Sequence, residues 1–385
     1  MSEPIFISNI ASVSALGNNP DEVWNSYLKA KPLFSKTSVN GCDCWVSEIS
    51  TSVKSDLELL TQSNPNYGKL DRSVQLAITA ARLVMDRNEL NDNRVGINIG
   101  SSRGATQLFE EFHEDYLKEG RVSAYTSPTT TLGNISSWVG QDLEIGGIQM
   151  GHSVTCSTAM HAVLNGIAWL RSNMSDMFLV GGSEVPTTPF TIAQMKALKL
   201  YSKLEREQAC ESMKFDKSSN TMVLSEASAM AVLEKGIHKH SRAVIRGIGF
   251  SSEILEHGSS ISENADCFQK SMKMALKDAK LTTVDGIVMH APGTVKGDVA
   301  EMNAIEIVFV NDTPLLTSNK WMIGHSLGAS GMMSLEMAVL MLKHNRWIGN
   351  PFHKNSKQEI NHLETVLVNA VGFGGNAVSI IISKP

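Results

Sequence analysis

The strongest constraint on the fold of this 385-residue chain is an alternation that runs through it twice. Short apolar runs of strand length end in glycine or other small residues. Each is followed by a stretch whose apolar residues recur at helical spacing. In the first cycle Ile5 to Ile10, Arg94 to Gly100, Met177 to Val180 and Ser225 to Leu233 read as strands. Asp71 to Arg87, Thr106 to Glu119, Ser157 to Arg171 and Phe190 to Leu198 read as helices. In the first of these Val74, Ala77, Ile78, Ala81 and Val84 share one face. A second cycle starts near Ala243. Ala243 to Phe250, Gly286 to His290, Leu315 to Thr317, Thr365 to Ala370 and Ala377 to Ile382 read as strands. Asp266 to Lys280, Val299 to Val308 and Leu327 to Leu342 read as helices. Buried strands alternating with helices imply an α/β protein with covered sheets. Residues 35–68, Tyr125 to Asn134, and residues 201–222 read as irregular. No Pro/Gly/Ser linker separates the cycles, so one fused unit is expected, with halves at 1–240 and 241–385.

Composition removes several function classes. Hydrophobic residues at 42% and charged residues at 19% describe a folded chain, not a disordered one. A net charge of −5 leaves no basic footprint for nucleic acid. Lys196, Lys199, Lys203 and Arg206 form a local cluster, either a solvated face or a dock for an acidic partner. The five cysteines, Cys42, Cys44, Cys156, Cys210 and Cys267, lack the count and spacing of a disulfide framework. A reducing cytoplasm is therefore the expected location. Cys42-Asp43-Cys44 has no matching second pair, so no metal is expected. Met1 to Pro4 carry no basic leader. The nearest approach to a membrane span, Leu327 to Leu342, is interrupted by Glu336, so none is expected.

The chemistry centres on Gly151-His152-Ser153-Val154-Thr155-Cys156-Ser157-Thr158-Ala159. Cys156 stands where an apolar run gives way to a helix. Free backbone N–H groups at such a junction favour a thiolate, the nucleophilic form of cysteine. Small neighbours would let a substrate approach the sulfur. Taken alone, the stretch is equally compatible with a buried, inert cysteine. In the second half His290 ends a strand, followed by Ala291-Pro292-Gly293-Thr294. Lys320 precedes Gly324-His325-Ser326-Leu327-Gly328-Ala329-Ser330-Gly331, a glycine-flanked turn before a helix. Phe373 sits in Gly372-Phe373-Gly374-Gly375. Individually, each has a bland structural alternative.

Together, Cys156, His290, Lys320, His325 and Phe373, in that order and with the Gly324 to Gly331 stretch, point to one family. The chain resembles the β-ketoacyl-acyl-carrier-protein synthases, condensing enzymes of the thiolase-like fold, from Ile5 to Ile382. The resemblance implies two related βαβαβαββ halves in a five-layer αβαβα arrangement, normally dimeric. It implies an acyltransferase that condenses an acyl thioester with malonyl-carrier protein, losing carbon dioxide. Cys156 would carry the acyl group. His290 and His325 would hold the malonyl thioester carbonyl, with Lys320 acting electrostatically nearby. The backbone N–H groups of Cys156 and Phe373 would form the oxyanion hole, and the Phe373 ring would gate the pocket. Thr294 would face the phosphopantetheine arm of the acyl-carrier protein, and no other cofactor is implied. The partner subunit would be a second copy or a related ketosynthase-like chain.

Two positions depart from the family pattern. Pro292 replaces a residue of the usual His-Gly-Thr-x-Thr stretch and removes a hydroxyl and a backbone donor. Arg103 stands where relatives place an apolar residue gating the acyl pocket, and its alternative is a surface ion pair. A specialised synthase, of polyketide or aryl-polyene type, is expected over a housekeeping elongator. Asp298, Glu301 and His161 are expected to be structural, and His152 to stay out of the chemistry. His238 and His240 are expected to be exposed. A thiolase would need a second cysteine near the C-terminus, and none follows Cys267. The other alternative is a chain-length-determining partner subunit with little activity of its own.

Overall fold

The computed structural model describes residues 3–39, 41–86, 94–132, 134–237, 240–254, 261–310, 312, 314–353 and 362–385. His238 lies outside these residues, and His240 is exposed.

Five strands of the first half are β1 (Ile5–Ser14), β2 (Val95–Gly100), β3 (Gln149–Met150), β4 (Met177–Glu184) and β5 (Ala227–Lys235). The second half contributes β6 (Ala243–Ser251), β7 (Gly286–Val288), β8 (Leu315–Thr317), β9 (Thr365–Gly372) and β10 (Asn376–Ser383). Read from its outer edge, the first half runs β3-β2-β4-β5-β1 and the second β8-β7-β9-β10-β6. Both are thus third, second, fourth, fifth, first in chain order. The pairing sense matches too. The outer three strands of each half are parallel, and the two inner pairings are antiparallel. Where the halves meet, β1 pairs with β6 over only three residue pairs, from Ile5↔Ile245 to Ile7↔Ala243.

Helices cover both faces. In chain order they are α1 (Arg72–Val84), α2 (Thr106–Glu119), α3 (Asn134–Asp142), α4 (Thr158–Arg171), α5 (Pro189–Ala197), α6 (Asp266–Ala279), α7 (Val295–Val308) and α8 (Ser330–His344). Helices α1 and α3 cover the outer face of the first half, and α6 and α7 that of the second. Helices α4 and α8 pack on each other between the halves. This gives the five layers of a thiolase-like fold. The middle position explains why α8 is apolar on every side: Ser330 to Leu342 are all buried. Asn345, in the left-handed region at φ 48°, stops the helix. Glu336 is the one acid within that buried run. It accepts a hydrogen bond from Ser12 Oγ at 2.5 Å, and burial pushes its carboxyl up to about 7.

Two stretches expected to be irregular are ordered. Residues 35–68 hold a hairpin, Ser35–Val39 with Cys42–Ser47, and a helix, Thr51–Ser63. The helix buries Val53, Leu57 and Leu60, spaced for one face, and Ser50 caps it through Val53 N–H. Polar residues between these positions mask the period. Thr126–Thr130 is a helical turn inside the expected Tyr125 to Asn134 loop. Residues 201–222 contain no strand or helix, as their charge pattern implies. Among the described residues, no helix is long and apolar enough to cross a membrane.

Candidate active site

Cys156 is placed by backbone geometry. The segment after β3 turns sharply into α4, with Thr155 in the left-handed region at φ 48°. A threonine pays for that conformation in steric strain, which persists only where the surroundings enforce it. The enforcing neighbour is the end of β9. A Cβ on Gly372 would lie 1.9 Å from Thr155 Oγ1 and 3.1 Å from Cys156 N. Only glycine lets the two backbones approach this closely. Thr155 Oγ1 donates to the Phe373 carbonyl at 3.4 Å, so Phe373 is tied beside Cys156. The Phe373 ring is 38% exposed at the cavity wall.

His290 follows β7 and His325 follows the helical turn Lys320–Ile323. Glu301 of α7 accepts both the His290 N–H at 2.9 Å and the Ala291 N–H at 2.8 Å. Asn369 Nδ2 also donates to it, at 3.1 Å. Ala291 is forced to φ 25°, a region suited to glycine. His325 is held by its backbone: its N–H donates to the Val223 carbonyl at 2.7 Å, and its carbonyl accepts from Ser225 N–H at 3.2 Å. The two imidazoles meet edge to face, with ring centroids 5.2 Å apart.

Cys156, His290 and His325 all line one cavity of ≈ 900 Å³. Arg103, Thr294 and Phe373 line it as well. Lys320 does not. It is buried behind the wall, where its Nζ has no hydrogen-bond partner among the described residues. Its neighbours are electrostatic: Glu301, Cys210, Cys156 and Asp298 favour its charge, but burial outweighs them and lowers it to about 8. The same burial, reinforced by the Lys320 charge, holds both histidines well below their usual range. Both rings are therefore neutral at pH 7.

The sulfur corrects an expectation. Burial, with the nearby Glu184 carboxylate, pushes the Cys156 thiol up to about 12, against the pull of Lys320 and Arg103. Desolvation of the charged form thus opposes whatever the N-terminus of α4 does to favour a thiolate. Glu184 is also the residue that the sequence reading passed over. At the end of β4 it accepts from Ser101 Oγ at 2.5 Å, Ser102 N–H at 2.7 Å, Arg103 N–H at 3.1 Å and Gly328 N–H at 2.8 Å. It therefore joins the loop after β2 to the turn that begins α8. Its signal was a glutamate closing Gly181-Gly182-Ser183, where a buried strand end leaves no room for an unpaired charge.

The remaining positions fall into place. Asp298 pairs with Lys217 at 2.8 Å, both buried, and accepts from the Gly293 and Thr294 N–H groups. Thr294 Oγ1 caps α7 by accepting from Gly297 N–H at 3.2 Å. His161 bonds the Ser157 carbonyl, and His152 the Thr158 carbonyl and Asn98; neither lines the cavity. Arg103 makes no ion pair among the described residues; its Nη1 donates to Gln194 Oε1 of α5. Cys156, Cys210 and Cys267 form no disulfide. Arg206 pairs with buried Glu211, while Lys196, Lys199 and Lys203 line a separate surface hollow near Trp45.

A duplicated five-layer α/β scaffold presenting one thiol and two neutral imidazoles to a shared cavity defines the thiolase-like condensing class. Family comparison narrows this. Residues 2–238 match the model of the β-ketoacyl synthase N-terminal domain, and residues 242–351 that of its C-terminal domain. The chain belongs to the β-ketoacyl synthase family. It is 27% identical to 3-oxoacyl-[acyl-carrier-protein] synthase 2 of Coxiella burnetii over 99% of this chain and 98% of that protein. It is 25% identical to synthase 1 of Escherichia coli K12 over 98% of each. Its fold matches a chain of a type II polyketide synthase acyl-carrier protein–ketosynthase complex, with a TM-score of 0.86 at 19% identity and full coverage of both. It also matches a ketosynthase–chain length factor complex from Xenorhabdus doucetiae, with a TM-score of 0.83 at 21% identity, covering 100% and 98%.

Proposed function

We propose that this chain is a β-ketoacyl-acyl-carrier-protein synthase, an acyltransferase that lengthens a thioester by decarboxylative Claisen condensation. The observation that carries the reading is the convergence of Cys156, His290 and His325 on one cavity. In the first stage the Cys156 sulfur attacks the acyl thioester, and its proton leaves with the departing pantetheine thiol. The thiol is protonated at rest, so proton removal accompanies attack. A neutral imidazole in the cavity suits this role. In the second stage malonyl thioester loses carbon dioxide, and the electron pair of the broken bond becomes an enolate. His290 and His325, neutral and buried, donate hydrogen bonds to that oxygen in a low-dielectric site. The buried Lys320 charge adds a favourable field without touching substrate. The enolate carbon then attacks the acyl-Cys156 carbonyl. Backbone N–H groups of Cys156 and Phe373 hold the oxyanion, and the collapse releases the Cys156 sulfur as a thiolate, which takes one proton from solvent to restore the thiol.

The substrates arrive on the phosphopantetheine of an acyl-carrier protein. Thr294 faces the arm with its hydroxyl proton, its oxygen being engaged as a helix cap. The lysines near Trp45 suit an acidic carrier surface. No further cofactor is needed. We place the chain in the cytoplasm, in a dimer with itself or with a related subunit. The structural neighbours include ketosynthases described with carrier protein and chain length factor partners, which supports a polyketide-type role; an aryl-polyene product is the narrower form of this proposal. Intact-mass detection of an acyl adduct on Cys156, absent in Cys156→Ala, tests the reading. No adduct with any acyl donor would favour a chain-length-determining subunit instead.

A further inference from the structure

Arg103 is a cation in the cavity wall, on the side where α2 and α5 contribute large apolar side chains. Around it the cavity is lined by Phe109, Phe190, Met195 and Leu198. Its backbone is fixed by Glu184, and its Nη1 is anchored on Gln194 Oε1. Its Nε, by contrast, is shielded from solvent and has no partner among the described residues. A guanidinium carries its donors in a planar fork, so one anchored edge fixes the direction of the others. Its charge reaches Cys156, where it opposes the effect of burial on the thiol. Both residues line the same cavity, so an acyl chain on Cys156 shares its space with Arg103.

Arg103 lines the cavity, and a saturated chain beside it leaves the guanidinium N–H groups that face the cavity unpaired and desolvated, whereas an oxygen acceptor satisfies them. We propose that Arg103, anchored by Gln194, selects acyl chains that carry an oxygen acceptor within reach of its guanidinium, and disfavours plain alkyl chains. This rests on the synthase reading and names its substrate class. A keto oxygen, a carboxylate and a phenol oxygen share the required chemistry.

The experiment measures acylation of Cys156 by intact mass, using pantetheine thioesters in matched pairs. These are octanoyl against 3-oxooctanoyl, octanoyl against its terminal carboxylate, and phenylpropanoyl against its 4-hydroxy form. Unaltered protein should acylate about tenfold faster with at least one oxygenated partner, the ratio expected for the net worth of one hydrogen bond. The pair that responds identifies the oxygen type. Arg103→Leu should bring that ratio near one, and Arg103→Lys should retain part of it. Equal rates, or faster acylation by the plain chains, in unaltered protein overturn the inference and need no variant to be folded. A ratio unchanged in Arg103→Leu overturns it as well. No acylation by any donor overturns the synthase reading beneath it, and this inference with it.

Discussion

The two halves share a strand order and differ in how their buried polar groups are satisfied. In the first half Glu184 takes four hydrogen bonds and fixes the loop carrying Arg103. In the second half His290 Nδ1, His325 Nδ1 and Lys320 Nζ have no partner among the described residues. In one copy the buried carboxylate ties the loop after β2 to the turn before α8. In the other, Glu301 and Asp298 are equally well bonded, but one ring nitrogen of each cavity histidine is left without a partner among the described residues, which costs stability and leaves it open to a ligand.

Substitutions can break or sharpen this contrast. The largest effect is expected from the imidazoles. His325→Ala should slow malonyl decarboxylation ~10²–10³-fold, with acylation of Cys156 persisting and the denaturation midpoint moving little. A collapse in stability with unchanged chemistry would erase the distinction. Glu184→Ala should do the reverse. Its removal strands one buried and two half-buried N–H groups and should cost about 2–3 kcal/mol in urea unfolding, whatever happens to turnover.

Lys320→Met should sharpen the contrast further, raising stability at pH 7 while lowering condensation. Its direction with pH is fixed. Lys320 falls from 10.5 to about 8 on folding, so the folded state binds fewer protons between those values. Stability of the unaltered protein therefore gains from this group as pH rises through that window. The advantage of Lys320→Met should be about 3 kcal/mol below pH 8 and should vanish near pH 10.5. An advantage independent of pH would show that packing, not charge, is responsible. The smallest effect belongs to Ala291→Gly. Relief of the left-handed strain should add about 0.5–1 kcal/mol, read as a rise in melting temperature.

Much of this was legible in the sequence because strand and helix periods are strong where elements are buried. The helix Thr106–Glu119 is bounded as its pattern implies. Thr51–Ser63 was missed because three apolar positions among polar ones are a weak period. The cavity residues were legible through small neighbours and glycine turns. Protonation was not: the Cys156 thiol responds to burial and to Glu184, both set by distant segments. Nor does residue order reveal that Thr155 is strained by Gly372, more than two hundred positions away.

The central helices carry a consequence for evolution and design. Cys156 leads into α4, and His325 leads into α8. The halves share only three ladder pairs, so their relative placement also rests on where these helices touch and on ties such as Gly328 to Glu184 and Lys217 to Asp298. At Gly331 an added Cβ would fall 2.5 Å from Met160 Cγ. A single methyl group there would push apart two rods whose tips hold the reacting atoms. Distant packing mutations should consequently surface as misaligned chemistry before they surface as unfolding.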